Sequence, residues 1–235
     1  MSRQRDHGVG DLDLLVPAYV HPLEDPGAWD RLVSLAPVLR AVVVNVHDGP
    51  GDEPDPAYPK VLERLVDAGV RIVGYVDSDY GRRALAEITA DVEVWLSRYG
   101  VHGVFLDQVA SGLDLLDHYA DVTVAARSRG ADFVVLNPGT TPHAGYLDLA
   151  NVTVTFEGSW TDYRRLEEPE WARSVPASRF AHLVHGVSFT SGHTAAVRLA
   201  ARRHVGTVYV TPGTGANPWN QVPHGLLSLF GLPEA

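Results

Sequence analysis

The chain has 235 residues, 45% of them hydrophobic, with 29 acidic and 19 basic side chains, no cysteine and one methionine. A net charge of -10 with neutral histidines offers no basic face for tracking phosphates and argues against a nucleic-acid partner. Without cysteine there are no disulfides, thiolate metal sites or thiol nucleophiles, and with Lys60 as the only lysine, in a helical-looking stretch, Schiff-base chemistry is disfavoured.

No apolar run reaches the ~20 residues of a membrane span. The opening MSRQRDHGVGDLD lacks the apolar core of a secretory signal, so residues 1–12 read as a flexible tail and the chain, as it stands, as cytoplasmic. From there, apolar β-branched runs recur at even spacing. They are Leu14 to Val20, Ala41 to Val46, Val70 to Val76, Val101 to Leu106, Phe133 to Leu136, Val152 to Phe156, Phe180 to Val187 and Thr207 to Val210. The runs are nearly continuous rather than alternating, as in strands covered on both faces of a parallel sheet.

Helical spacing fills the gaps. Leu62, Leu65 and Val66 mark one helix, and Ala84 to Tyr99 marks the next, with Leu85, Ile88, Val92, Trp95 and Leu96 on one stripe. Leu115, Leu116, Tyr119 and Val122 follow, and later Ala195, Leu199 and Ala200. The fifth and sixth connections carry weaker signals: Gly145 to Leu149 is short, and the stretch after Trp160 holds charges and prolines. Eight strands with helices between them predict an α/β fold, a single-domain (β/α)₈ TIM barrel over residues 1–235, compact for its class. An open doubly wound sheet would need a G-x-G-x-x-G turn after the first strand, where Tyr19, Val20, His21 and Pro22 stand instead.

Barrel enzymes carry their chemistry at the carboxyl ends of the strands. Those ends hold Tyr19 and His21, Asn45 and His47, Tyr75 and Asp77, Asp107 and Gln108, Asn137, Glu157, His185 and Thr211. Strand packing gives no reason for polar residues to gather there. Asp107 directly follows GVFL and Glu157 directly follows VTVTF, and a carboxylate against an apolar strand end is costly unless hydrogen-bonded or working. Two carboxyl groups flanking one bond are what glycoside hydrolysis requires. Trp160 and Trp219, in loops past the sixth and eighth strands, suit sugar C–H faces, whereas Trp29 and Trp95 read as helix packing. No H-x-H or H-E-x-x-H spacing supports a metal among His21, His47, Asp77, Asp107 and His185, so neither metal nor cofactor is expected. The turns Asn137-Pro138-Gly139-Thr140 and Thr211-Pro212-Gly213-Thr214-Gly215 lack a P-loop lysine and read as tight turns.

Taken in order, VPAYVHP, VVVNVHDGPG, VGYVDSDYGRR, GVFLDQ, VVLNPGT, TVTFEGSW and VYVTPGTGANPWNQVP resemble the spherulation-specific (spherulin-four-like) family, from Leu14 to Pro223. The resemblance implies a TIM barrel that cleaves an α-1,4-linked galactosamine or N-acetylgalactosamine polysaccharide in mid-chain. It places the family's acidic positions on Asp107 and Glu157. Asp107 is expected as nucleophile and Glu157 as acid, an assignment that could be reversed. Tyr19, His21, Asn45, His47, Tyr75, Asp77, Gln108, Asn137, Trp160 and Trp219 are expected to bind the polysaccharide or oligosaccharide. Where the family usually has Asp-Glu after the fourth strand, this chain has Asp107-Gln108. A glutamine donates no acidic proton, so a carbohydrate-binding barrel with weak or no turnover is the alternative reading.

Overall fold

The computed structural model describes residues 9–188 and 191–233. Eight parallel strands close in chain order into a barrel: β1 (Asp13–Ala18), β2 (Leu39–Val44), β3 (Ile72–Asp77), β4 (Gly103–Asp107), β5 (Phe133–Leu136), β6 (Val152–Ser159), β7 (Phe180–His185) and β8 (Thr207–Val210), with β8 pairing back onto β1. Closure leaves no strand edge unpaired. It buries Val16, Val42, Val43, Val73, Val104, Val135, Leu136 and Val208 completely.

An outer layer of helices covers the strands. It comprises α1 (Pro26–Ser34), α2 (Tyr58–Asp67), α3 (Leu85–Tyr99), α4 (Leu116–Ser128), α5 (Trp160–Tyr163), α6 (Ser191–Arg202) and α7 (Leu226–Leu229). Each longer helix turns an apolar stripe inward, such as Leu62 and Leu65, or Ile88, Val92 and Trp95. Helix α1 starts at Asp25, whose carboxylate accepts the Ala28 N–H at 3.0 Å, and α3 stops at Gly100, which takes the left-handed conformation of a C-terminal cap. Val66 and Ala195, expected on inward stripes, face solvent; in α6 the stripe is Ala196, Val197 and Ala200, one position along. The weak fifth connection is a 3₁₀ turn, Ala144–Asp148. The sixth contains only the one-turn α5 and two short 3₁₀ turns.

Two strand ends differ from the apolar runs, and both matter. Strand β2 stops at Val44 because the N–H groups of Val46 and His47 both turn back to the Gly49 carbonyl, at 3.0 and 3.1 Å. Strand β6 runs past Phe156 to Ser159, paired with β7 throughout, and carries a bulge between Val154 and Phe156. Thr155 is the extra residue. Thr155 borders a small cavity beside His182 and Phe180, and the Phe156 ring packs on Tyr163 and His182, so two successive side chains face the helix layer. The bulge thereby leaves Glu157 facing the barrel mouth. At the other end of the chain, Val9–Asp11 forms a 3₁₀ turn and Leu12 is buried, so residues 9–12 are not a free tail. Residues 1–8 lie outside the described residues. No helix among the described residues is long and apolar enough to cross a membrane.

Gly74 in β3 shows why strand composition matters to the mouth. The Trp95 indole of α3 lies flat against it, donating Nε1–H to the Tyr75 carbonyl at 2.7 Å. A Cβ on residue 74 would fall 2.3 Å from the indole. Gly74→Ala should therefore displace Trp95 and cost about 1–3 kcal/mol of stability, measured as a lower midpoint in urea.

Candidate active site

The carboxyl ends of the strands surround a cleft of about 680 Å³, with Asp107, Asn137 and Glu157 on its floor. One group ties these three together. The Asn137 side-chain nitrogen donates to Asp107 Oδ1 at 2.6 Å and to Glu157 Oε2 at 2.5 Å. Its oxygen accepts the Gly139 N–H at 3.0 Å, which fixes which end of the amide faces the acids. Bonded to one nitrogen at 2.6 and 2.5 Å, the two carboxylate oxygens lie no more than about 5 Å apart. The turn that holds Asn137 is itself anchored: Gly139 sits at φ +65, and its carbonyl accepts the Glu157 N–H at 2.9 Å.

The surroundings push both acids toward their neutral forms. Burial raises Asp107 above the ordinary aspartate value, and the nearby Asp77 charge adds to this. Three hydrogen bonds oppose the shift, from the Gln108 backbone N–H, the Tyr75 hydroxyl and Asn137. Burial raises Glu157 to about 7, helped by the Asp107 charge and opposed by Asn137 and by the Trp219 indole N–H at 3.2 Å. Burial and nearby carboxylates, Asp107 and Glu157 for Tyr19 and chiefly Asp107 for Tyr75, push both hydroxyls well up, so both remain protonated donors.

Trp219 is placed with care. Its backbone carbonyl accepts from Tyr19, its N–H donates to Asn217 Oδ1, and its ring packs against His185 and Tyr209. The loop before it folds tightly because Gly213 lets the Pro218 carbonyl approach to where a Cβ would sit, 1.9 Å away. The Thr211-Pro212-Gly213 stretch is thus a tight turn.

Of the expected residues, Tyr19, Asn45, Tyr75, Asp107, Asn137, Glu157 and Trp219 line the cleft. Asn45 also accepts the Gly49 N–H at 2.9 Å and so shapes the β2–α2 loop. Gln108 lines a second hollow on the far side of the acids. Four others, His21, His47, Asp77 and Trp160, line neither of these hollows. His21 Nδ1 accepts the Leu23 N–H and its Nε2 donates to Asp55 at 3.0 Å, so both nitrogens serve the loop. His47 lines a separate depression with Asp52 and Asp91, displaced there by the turn that ends β2. Asp77 turns back to accept the Asp79 N–H at 2.8 Å and reaches Asp107 only through its charge. Trp160 begins α5, packs on Tyr163 and lies under Arg164, 5.7 Å from its ring centroid.

Asp48 and Asn217 line the cleft and were not singled out from the sequence. Asp48 holds a left-handed φ of 48 next to Gly49, so the Asp-Gly pair, a turn signal, was the available clue.

Comparison with known proteins places the chain in a family. Residues 13–231 match the sequence profile of the family described as "Spherulation-specific family 4". Spherulin-4 of Physarum polycephalum is 31% identical over 215 residues, 86% of this chain; the chain spans 64% of the length of spherulin-4. The crystal structure of Aspergillus clavatus Sph3 in complex with GalNAc superposes with a TM-score of 0.79 at 26% identity, covering 93% of this chain and 96% of that one. With a closed eight-stranded barrel and a family match over nearly its whole length, the chain belongs to spherulation-specific family 4.

Proposed function

We propose that the protein is a retaining, endo-acting glycoside hydrolase cleaving α-1,4-linked galactosamine or N-acetylgalactosamine polysaccharide. The coarser reading, a carbohydrate-handling barrel, is supported by the likeness to the GalNAc-bound relative. The observation that carries the finer one is the pair of buried acids held by a single amide nitrogen. Their spacing suits the roughly 5–5.5 Å of retaining enzymes better than the ~6.5–9.5 Å that leaves room for a water in inverting ones.

The environments divide the roles. Asp107 has three hydrogen-bond donors stabilising its anion, which suits a nucleophile. Glu157, raised to about 7, keeps its proton near neutral pH and suits the acid. Asp107 attacks the anomeric carbon while Glu157 protonates the departing oxygen. The resulting ester removes the negative charge on Asp107, which is one cause of the raised Glu157 value. Glu157, having given its proton to the departing oxygen, is then a carboxylate that takes a proton from the water attacking the ester. In an α-linked 2-acetamido sugar the acetamide lies on the same face as the leaving group and cannot attack from behind, so a protein carboxylate is needed for retention.

Asp107→Asn and Glu157→Gln should each lower turnover on amino-sugar polymers by at least about a hundredfold with circular dichroism unchanged; full activity in either would overturn the assignment. A protein that binds oligosaccharides and releases no reducing ends would favour the binding-only alternative. With -10 net charge and Asp48 beside the acids, added salt should weaken binding of deacetylated polymer and hardly affect the N-acetylated form, read from salt titrations of affinity.

The raised acid has a stability signature. Unfolded, Glu157 loses its proton near 4.5; folded, near 7. Between these values the unfolded chain releases protons first, so stability falls as pH rises. Glu157→Gln should therefore stabilise the protein by on the order of 2 kcal/mol at pH 8 and by much less at pH 5. Urea melts at the two pH values measure this.

A further inference from the structure

Asp107, Asn137 and Glu157 form a wall shared by two hollows. The second, about 650 Å³ and more open than the first, lies on the β4–β5 side and is bordered further by Tyr80, Gln108 and the Pro138–Thr140 turn. Tyr80 is 51% exposed, one of few large aromatic or aliphatic side chains so placed. Its backbone is left-handed, φ 52 and ψ 36. Asp79 and Gln108 share that conformation at φ 45 and 50, which non-glycine residues rarely adopt.

These turns hold one another. The Tyr80 N–H donates to the Gln108 carbonyl at 2.7 Å, and the Ser78 hydroxyl donates to the same carbonyl at 2.9 Å. Arg82 pairs with Asp79 and sits 5.9 Å from the Tyr80 ring centroid. The turn that carries the Tyr80 ring is thus held at the rim of a polar hollow beside two acids. The Gln108 side-chain amide borders the same space, and no hydrogen bond among the described residues engages it.

We propose that this hollow is the subsite for the sugar residue on the leaving-group side of the cleaved bond, with Tyr80 as its stacking platform and the Gln108 amide as its polar contact. The proposal rests on the hydrolase reading for its direction. The sugar being cleaved occupies the deeper cleft between Tyr19, Tyr75 and Trp219, and the next residue of the chain crosses the acids into the second hollow. Apart from the acids themselves, the hollow is lined by neutral groups. It therefore takes an N-acetylated residue: the ring covers a C–H face, and a glutamine amide, donor and acceptor at once, matches an acetamide or hydroxyl.

The test is calorimetric binding of α-1,4-linked N-acetylgalactosamine oligomers, one to four residues long, to the Asp107→Asn protein with and without a second change. Affinity should rise with length. Tyr80→Ala should remove about tenfold of that gain, Tyr80→Phe should keep it, and Gln108→Ala should lower it by a smaller factor. An undiminished gain in the Tyr80→Ala protein overturns the subsite even if the wild-type enzyme cleaves the polymer. A Tyr80-dependent gain without any wild-type turnover supports Tyr80 as a sugar platform but overturns hydrolysis and, with it, the leaving-group direction. An equal gain with deacetylated oligomers overturns the preference for an N-acetylated residue, and absence of binding at every length overturns the whole proposal.

Discussion

The buried amide of Asn137 is the contact on which the site depends. Two acids brought within a few ångströms in a poorly hydrated mouth repel each other and lose hydration. A single neutral side chain, itself 4% exposed, gives one hydrogen to each. This sets their separation without adding a charge that would quench either. An arginine or lysine there would hold both acids ionised, leaving no proton near neutral pH. A serine could donate to only one of them. Asparagine meets both demands, and the Gly139 N–H on its oxygen stops the amide from flipping.

Around that bridge the fold supplies asymmetry. Tyr75 and the Gln108 backbone serve Asp107, while Trp219 alone joins Asn137 on Glu157. The supports come from far apart in the chain, from β3, the β4 end and the loop after β8. A closed barrel brings such distant segments to one mouth with little freedom, and tight contacts behind it, such as Trp95 on Gly74, transmit that rigidity to Tyr75. The site is thus the product of barrel closure more than of any one loop.

Much of this was legible in the sequence. Continuous β-branched runs and intervening helical stripes gave the barrel, and the acids at the ends of β4 and β6 stood out because apolar strands preceded them. His21 and His47, outside the cleft, lie in loops, where the direction of a side chain follows from turns closed by backbone groups, as with the Gly49 carbonyl that ends β2. Asn137 was expected at the site, yet its bridging contacts could not be read. It was expected to orient sugar, whereas its polar groups are engaged by Asp107, Glu157 and Gly139. Which strand end touches which depends on inter-strand stagger, a property no local pattern encodes.

The bulge in β6 has a consequence for how this chemistry can change over time. Side chains on a strand alternate between two faces, so the facing of Glu157 is a matter of counting. Thr155 is the added count. Point substitutions around it can tune the acid, but they leave it on the same face. Loss or gain of one codon between Val154 and Glu157 would instead exchange the faces, sending the acid toward the helix layer and an apolar ring into the mouth. Within this scaffold, the presence of the acid is a digital trait, carried by strand length rather than by residue identity alone.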